Sequence, residues 1–232
     1  MSAGRSKRVA RTPTRTPPEP ALARLVIYLR CLRTAKREGR TTVSSQDIER
    51  CTGISSTQVR KDISHFGEFG RPGIGYSVDQ MQARLSKIMG LDREQRVVIV
   101  GAGNLGSALA GYAGFRDSGF RVMAMYDNDP DKIGRKIRNL EVLDIRRLPQ
   151  TSAELGARIG IIATPAEAAE EIAERMAGGG IKTVLNFAPT RLRDVGDTVV
   201  RNVDLTQELE MLCFFLSREA PADAGPTPGD PI

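Results

Sequence analysis

The chain contains two different patterns of apolar and polar positions. From residue 21 to residue 90, apolar residues recur every three or four positions, which is typical of helices that bury one face. From residue 91 to residue 204, short β-branched runs alternate with stretches of helical spacing. Strand–helix–strand alternation predicts a parallel sheet covered by helices. The pattern therefore predicts an N-terminal helical domain at 21–90 and a doubly wound α/β domain at 91–204.

The N-terminal domain has the outline of a helix-turn-helix. Ser44 or Ser45 can cap a short helix, and a turn around Gly53 ends it. Ser55 or Ser56 can cap the next helix. Two short helices joined by a glycine-bearing turn are typical of this DNA-binding motif.

A wing is predicted directly after the second of these helices. Residues 67–76 contain four glycines and one proline, which excludes a helix. They favour a short hairpin with Arg71 at its tip, so the domain is predicted to be a winged helix. Ser77 and Gln80 have the spacing of a capping box and predict a further helix, and 90–92 is the predicted domain boundary.

The second domain contains five predicted strands and a long predicted helix at Pro165–Ala177. The strands are Arg96–Val100, Arg121–Tyr126, Ala157–Ala163, Lys182–Phe187 and Thr198–Val203. A last helix, centred on Glu208–Ser217, is apolar on more than one face and predicts a dimerisation helix at 205–218 that a second subunit covers. The polar, proline-rich ends at 1–20 and 219–232 are predicted to be disordered tails.

The first predicted strand of the second domain runs into a G-x-G-x-x-G motif that opens a helix. Gly101 allows a tight turn, Gly103 lets the backbone approach a pyrophosphate, and Gly106 lets helix and strand pack closely. The glycine spacing alone is a weak signal, but its position between a strand and a helix makes it strong. The predicted cofactor contacts of this segment are Gly101, Ala102, Gly103, Asn104, Leu105 and Gly106.

Asp127 ends the next predicted strand, 21 residues after Gly106. A carboxylate at this point accepts hydrogen bonds from ribose hydroxyls and repels a 2′-phosphate, which favours NAD(H) over its phosphorylated form. Lys132 and two further cations follow closely and weaken that preference.

Two later strands also end in candidate cofactor contacts. Thr164 and Pro165 follow one strand, and Asn186 and Phe187 end another, where ligands bind in open α/β sheets. Phe187 can be interpreted either as an ordinary core residue or as a nicotinamide contact. Thr164 can be interpreted either as a helix cap or as a cofactor contact.

Charge also separates the two domains. Residues 1–90 contain 17 Lys/Arg and 7 Asp/Glu, a net charge of +10, whereas residues 91–232 contain 17 and 21, a net charge of −4. Concentrated positive charge suits a protein that binds a phosphate backbone, although composition does not separate DNA, RNA and anionic membrane. The predicted DNA contacts are Ser44, Ser55, Ser56, Thr57, Gln58, Arg60, Lys61, Arg71, Gly73 and Tyr76.

Several classes of protein are not expected. Cys31, Cys51 and Cys213 lack metal-ligand spacing and are predicted to be reduced, buried residues, so no metal is expected. Neither a membrane span nor a signal peptide is evident, so the cytoplasm is the expected location. No catalytic residue is expected, because His65 is the single histidine and lies in the DNA-binding domain, and no other proton donor for hydride transfer is evident.

From about Pro20 to Ser217 the chain resembles the Rex family of redox-sensing transcriptional repressors. The resemblance rests on these strings: Arg24-Leu25 through Tyr28-Leu29-Arg30, Gln58–Gly67, Gly73–Tyr76, Gly101–Gly106, Asp127–Gly134 and Leu185–Pro189. It implies a homodimer whose terminal helix inserts between the partner's two domains. It also implies that NADH releases operator DNA, whereas NAD+ permits repression.

The resemblance further implies roles for particular residues. Tyr112 matches a position near the nicotinamide, and Arg30 and Asp204 match a pair that bridges the two domains across the dimer. The chain departs from the family at His65, where many members have Tyr, and at Asn104, where some members have a basic residue. The second departure puts a pyrophosphate contact by that side chain in doubt.

The sequence therefore predicts a repressor that binds double-stranded operator DNA and senses NADH and NAD+. One alternative is an NAD-dependent oxidoreductase or the nucleotide-binding subunit of an acyl-CoA ligase. Another is an architectural DNA-binding protein whose doubly wound α/β domain, a Rossmann domain by its glycine motif, holds no cofactor.

Overall fold

The protein divides into two compact units after Arg93. The computed structural model describes residues 19–66, 70–71 and 75–219, so most of the two predicted tails and residues 67–69 and 72–74 of the predicted wing lie outside the described residues. Within those ranges, no helix combines the length and the apolar character that crossing a membrane requires.

Within its described residues, the first unit packs four helices around one apolar core and adds a small sheet. The helices are α1 (Glu19–Arg37), α2 (Ser45–Thr52), α3 (Ser56–His65) and α4 (Val78–Ile88). The strands β1 (Thr42–Val43), β2 (Gly70–Arg71) and β3 (Gly75–Ser77) pair antiparallel in the order β1-β3-β2. The core contains the buried residues Leu25, Tyr28, Leu29, Leu32, Ile48, Val59, Ile63, Met81 and Leu85.

The helix caps settle two alternatives that the sequence leaves open. Ser44 caps α2 in a reciprocal capping box with Asp47, and the Ser55 side chain accepts a hydrogen bond from the Gln58 N–H at the start of α3. Gly53 ends α2 in the left-handed conformation at φ 72°, as the turn between the two helices requires. The predicted helix-turn-helix with its hairpin is therefore present. The strand β1 was not predicted, because two residues show no alternation.

The second unit is built on a seven-stranded sheet with the order β10-β9-β8-β4-β5-β7-β6. Every pair is parallel except β6 with β7. The strands are β4 (Gln95–Val100), β5 (Phe120–Asp127), β6 (Lys136–Ile137), β7 (Leu140–Asp144), β8 (Ile159–Ile162), β9 (Thr183–Asn186) and β10 (Val199–Asn202). The helices are α5 (Asn104–Ala110), α6 (Ala113–Asp117), α7 (Leu148–Glu154), α8 (Ala166–Gly178) and α9 (Leu205–Glu219).

All five predicted strands are present, and the α/β fold class is confirmed. The hairpin of β6 and β7 was not predicted, because charged residues interrupt its pattern and its turn lacks glycine. Arg138 and Asn139 form that turn with positive φ values of 50° and 70°, which a two-residue hairpin turn requires.

The last helix, α9, presents large apolar side chains to solvent. Its exposed apolar residues are Leu205, Leu209, Met211, Leu212, Phe214, Phe215 and Leu216. Asp204 caps this helix, since its Oδ1 accepts hydrogen bonds from the N–H groups of Thr206 at 2.9 Å and Gln207 at 3.1 Å.

The cysteine prediction was wrong for two of three residues. Cys31 is buried, as predicted, but Cys51 and Cys213 are exposed and all three are free thiols. Cys51 lies in the last turn of α2, whose buried residue is Ile48. Cys213 lies on the uncovered α9. Composition cannot show which face of a helix a cysteine occupies.

Candidate dinucleotide site and DNA-reading surface

The turn between β4 and α5 is possible only with glycine at two positions. Gly101 has φ +105°, and a Cβ placed there would lie 2.2 Å from the Ala163 carbonyl oxygen. A Cβ on Gly106 would lie 1.8 Å from the Gly101 carbonyl oxygen, so helix and strand pack without room for a side chain. Gly103 differs, because its φ is −79° and a Cβ would meet nothing within 4 Å. It borders open space, as a position that faces a pyrophosphate should.

Asp127 is fixed at the end of β5 beside this turn. It is 7 % exposed and accepts hydrogen bonds from the N–H groups of Ala102 at 2.7 Å and Asp129 at 2.9 Å. Lys132 Nζ lies 3.3 Å from its Oδ2. Burial acts to raise the pKa of Asp127, but these N–H groups and the ammonium outweigh burial and hold the pKa below its usual value. The carboxylate is therefore ionised at neutral pH.

A cavity of about 700 Å³ opens at the carboxyl ends of β4, β5 and β8. Five predicted cofactor residues line it: Gly101, Gly103, Asp127, Thr164 and Pro165. The sequence interpretation missed the opposite wall, which includes Ile145, Ala168, Ile172 and Arg175. Three of these residues lie on α8, away from any glycine or strand-end signal, and only the packing of that helix brings them to the site. Ile145 instead follows directly after β7, a strand that was not predicted. Both the volume and the mixed apolar and polar lining are suitable for a nucleotide.

Thr164 supplies a direct test of fit. Its Oγ1 is buried and has no hydrogen-bond partner in the part of the chain described. An unpaired buried hydroxyl is costly, and this one belongs to a residue that lines the cavity. A dinucleotide with ribose and phosphate oxygens would supply the missing partner. The residues present therefore fit the predicted cofactor.

We expect Thr164→Val to separate binding from stability. The isosteric change removes the unpaired hydroxyl, so the free energy of unfolding should stay equal or rise, whereas NADH affinity should fall roughly 5- to 10-fold for one lost hydrogen bond. Calorimetric titration with NADH and thermal unfolding measure the two effects.

Thr151→Val is the matched control for this variant. The Thr151 hydroxyl is buried but already bonded to the Arg147 carbonyl at 2.7 Å and to Tyr126 Oη at 2.6 Å. This control should lose about 1–2 kcal/mol of stability and keep its NADH affinity. Unchanged NADH binding by Thr164→Val would show that the hydroxyl does not face the cofactor.

The other predicted cofactor residues lie outside the lining of this cavity. The Ala102 N–H is bonded to Asp127, and Gly106 is buried under the turn. Asn104 and Leu105 begin α5. Asn186 uses its amide to hold a loop: Nδ2 donates to the Thr190 carbonyl and to Asn202 Oδ1, and Oδ1 accepts from the Ala188 N–H.

Tyr112 and Phe187, the two predicted aromatic contacts, differ in exposure. Phe187 is partly buried and packs against a core cluster of the sheet. Tyr112 is 59 % exposed, and its ring meets the Phe115 ring edge-on at 5.3 Å between centroids. Contact of either ring with a nicotinamide stays a prediction.

The exposed face of α3 carries the predicted DNA-reading side chains. Val59, Ile63 and Phe66 face the core, as predicted. On the other face Lys61 is exposed, and the Arg60 guanidinium donates to Ser45 Oγ at 2.9 Å and to Thr57 Oγ1 at 3.1 Å.

Of the remaining predicted DNA contacts, Ser44 and Ser55 cap α2 and α3, and Tyr76 lies in β3. The N–H of Ser56 donates to Glu49 at 3.1 Å, so α3 begins against α2. The positive charge of Arg60 acts on Tyr76 of β3, although burial is the larger influence and raises the pKa of Tyr76. Only the backbone of Arg71 is described, and Gly73 lies outside the described residues.

A buried ion pair fixes the inner side of α3, and the sequence interpretation did not find it. Asp62 is 5 % exposed and accepts hydrogen bonds from Arg24 Nε at 2.5 Å, Tyr28 Oη at 2.8 Å and Gln58 Nε2 at 2.7 Å. Burial acts to raise the pKa of Asp62, but the bonds from Arg24, Tyr28 and Gln58 outweigh it and lower the pKa. The amide nitrogen of Gln58 is thus engaged inside the unit, and its Oε1 is the atom suited to a base contact.

Comparison with known proteins covers both units. A family model described as "CoA binding domain" matches residues 92–190, and one described as "Putative DNA-binding protein N-terminus" matches residues 18–64. The redox-sensing transcriptional repressor Rex of Carboxydothermus hydrogenoformans is 48 % identical over 202 residues, which are 87 % of this chain and 97 % of that protein. The chain belongs to the Rex family.

Solved Rex structures match over both units as well. RSP in complex with β-NAD+ and operator DNA superposes with a TM-score of 0.83 at 34 % identity, over 89 % of this chain and 95 % of that chain. RSP in complex with β-NADH superposes with a TM-score of 0.77 at 32 % identity, over 89 % and 97 %. Because Rex proteins are named as repressors and match over most of their length, the enzyme alternative is not favoured, and the CoA description applies to the second unit only.

Proposed function

We propose that this chain binds operator DNA as a homodimer and releases it when NADH binds, so that transcription follows the cellular NADH/NAD+ ratio. The observation that carries the proposal is one chain with two sites: a dinucleotide cavity around an ionised Asp127 and a helix-turn-helix with an exposed reading face. The match to RSP, solved both with β-NAD+ and operator DNA and with β-NADH, supports the same pairing of ligands.

The cavity supports NAD(H) over the phosphorylated coenzyme. The Asp127 carboxylate would accept hydrogen bonds from the ribose hydroxyls and would repel a 2′-phosphate. Lys132 does not reverse this preference, because its ammonium already pairs with Asp127 at 3.3 Å and Asp129 at 3.4 Å. Gly101, Gly103, Thr164 and Pro165 would contact the rest of the molecule. The redox signal would be the difference between the neutral nicotinamide ring of NADH and the cationic ring of NAD+, and the chain would only bind the coenzyme.

The DNA-binding surface would consist of α3, its cap and the wing. Arg60 and the Gln58 Oε1 are suited to base edges, whereas Lys61 and the hydroxyls of Ser55 and Thr57 are suited to phosphates. The two copies of α3 in a dimer would meet half-sites about 34–36 Å apart. We expect NADH to change that spacing, with Arg30 and Asp204 as the switch pair that the family resemblance implies.

The deciding experiment is a titration of an operator–repressor complex with NADH and with NAD+, followed by fluorescence anisotropy. NADH should release the DNA at a far lower concentration than NAD+. To move the protein from mostly bound to mostly free, a coenzyme must bind the DNA-free state about 5 kcal/mol more tightly than the DNA-bound state, and we expect this of NADH only. Lys61→Ala should weaken operator binding and its salt dependence, while the affinity of the DNA-free protein for NADH stays unchanged. Lys87→Ala is the control, with the same charge change at an exposed position of α4. Equal release by both coenzymes would refute the redox function.

The dimer would be held by α9, whose exposed apolar side chains have no cover in the single chain. Leu212→Glu should weaken dimerisation by at least tenfold, because a carboxylate would enter an apolar contact. Glu210→Gln on the same helix should leave dimerisation unchanged. Sedimentation velocity measures both variants. A parent chain that sediments as a monomer at micromolar concentration would overturn the dimer.

A repressor bound to chromosomal DNA would act in the cytoplasm.

A further inference from the structure

The first unit contains two cysteines on neighbouring helices that the proposed function does not use. Cys31 lies on α1 and Cys51 in the last turn of α2, and both line one cavity of about 330 Å³. Cys31 is 7 % exposed, whereas Cys51 is exposed to solvent. The cavity therefore joins a buried thiol to an accessible one.

The two thiols are close enough to affect each other. The pKa of Cys31 is raised to about 12, by burial first and then by a hydrogen bond with Cys51 and its charge. The shared cavity lies where α1 and α2 are in contact, so both cysteine side chains belong to the same helix contact. Of the four charged residues that line this cavity, Arg40 favours the thiolate of Cys31 and Asp47 opposes it, while Glu38 and Arg50 are the other two.

The difference in exposure assigns the two steps of an oxidation. The accessible Cys51 sulfur, as its thiolate, attacks hydrogen peroxide, forms a sulfenic acid and releases hydroxide, which takes up a proton to become water. The Cys31 sulfur then attacks the Cys51 sulfur and displaces its oxygen, which leaves as a second water together with the Cys31 proton. Two thiols and one peroxide give one disulfide and two waters. Cys31 is unsuited to react first, because it is protonated and buried.

We propose that Cys31 and Cys51 form an oxidisable dithiol that closes to an intramolecular disulfide under peroxide, and that closure weakens operator binding. A disulfide brings the sulfur atoms to about 2.05 Å, which draws the end of α2 towards α1. Helix α2 is bonded to α3 through Ser45–Arg60 at 2.9 Å and Glu49–Ser56 at 3.1 Å, so α3, which carries the predicted DNA contacts, would move with α2. This input lies within the first unit and needs no cofactor.

The test uses the full reduced chain, treated with hydrogen peroxide and then digested with trypsin. Cleavage after Arg30, Arg33, Arg50 and Arg60 isolates each cysteine, so the disulfide appears as peptide 31–33 joined to peptide 51–60, lighter by two hydrogen atoms. Operator affinity measured without NADH should fall at least about fivefold and return on reduction with dithiothreitol. Cys51→Ser is the matched control: its site is exposed, so the variant should fold, and its affinity should not respond to peroxide. Cys213 is present in both proteins, so any effect of its oxidation on operator affinity is the same in both and drops out of the comparison.

Two outcomes would overturn the proposal. The first is oxidation that leaves Cys51 as a sulfinic acid or links separate chains, without the joined peptides. The second is a joined peptide pair with unchanged operator affinity, which would remove the regulatory effect. Operator release rests on the proposed DNA-binding function, whereas peptide mapping does not. A reduced chain that fails to bind the operator would therefore count against the DNA-binding function, and the mapping would still decide whether the dithiol closes.

Discussion

A Gly103→Ala variant is expected to fold and to bind operator DNA like the parent, but to lose most of its response to NADH. The backbone at Gly103 has an ordinary φ of −79°, and an added Cβ meets no atom within 4 Å, so the substitution should not strain the unit. The same methyl group would enter the space where a pyrophosphate approaches the turn. A cost of roughly 1.4–2.8 kcal/mol would raise the Kd for NADH about 10- to 100-fold. Calorimetric titration with NADH and operator anisotropy measure this.

Two other glycines separate this effect from a general loss of structure. Gly178→Ala lies near the end of α8, where a Cβ also meets nothing within 4 Å, and it should leave NADH binding unchanged. Gly106→Ala would place a Cβ 1.8 Å from the Gly101 carbonyl oxygen and should destabilise the second unit itself. Parental NADH affinity in Gly103→Ala would show that the cofactor does not approach the backbone there.

Replacing Asp62 by Asn is expected to lower the free energy of unfolding of the first unit by about 2–3 kcal/mol. Removing one partner of a buried ion pair typically costs 3–5 kcal/mol, and we place the value lower because Arg24 is 27 % exposed and can be hydrated. Hydrogen exchange of the amides in α1 and α3 measures the loss within the full chain. Asp79→Asn is the control, because its pair with Lys36 is exposed and should contribute less than about 1 kcal/mol. Equal losses in the two variants would contradict this role of Asp62.

The same residue predicts a pH dependence. The pKa of Asp62 is lowered in the folded chain, so its stabilising effect is complete above the unfolded value of about 3.9 and is lost as pH falls through the folded pKa. The stability difference between the parent and Asp62→Asn should therefore be constant near neutral pH and shrink below about pH 4. A difference that is independent of pH would mean that Asn disturbs packing rather than removing a charge.

Interactions between residues close in the chain were the ones that could be predicted. The G-x-G-x-x-G turn, the caps at Ser44 and Ser55, and the five apolar strand runs all depend on neighbours within a few positions. The segregation of charge and the family resemblance predicted the two classes of ligand, DNA and a nicotinamide dinucleotide. From these alone the sequence determined the winged helix, the parallel sheet and five of the cavity-lining residues.

Only the tertiary structure decided which distant residues meet. Arg24 pairs with Asp62 across 38 positions, and α8 brings Ile172 and Arg175 opposite the glycine turn. The cavity that Cys31 and Cys51 share, and the exposure of Cys213, likewise depend on how helices rotate and pack. Apolar periodicity determines which face of a helix or strand is buried. It does not determine which other element covers that face, because any complementary face removes the same apolar area from water. The pairing of faces is set by the packing of the whole unit, which one stretch of sequence does not contain.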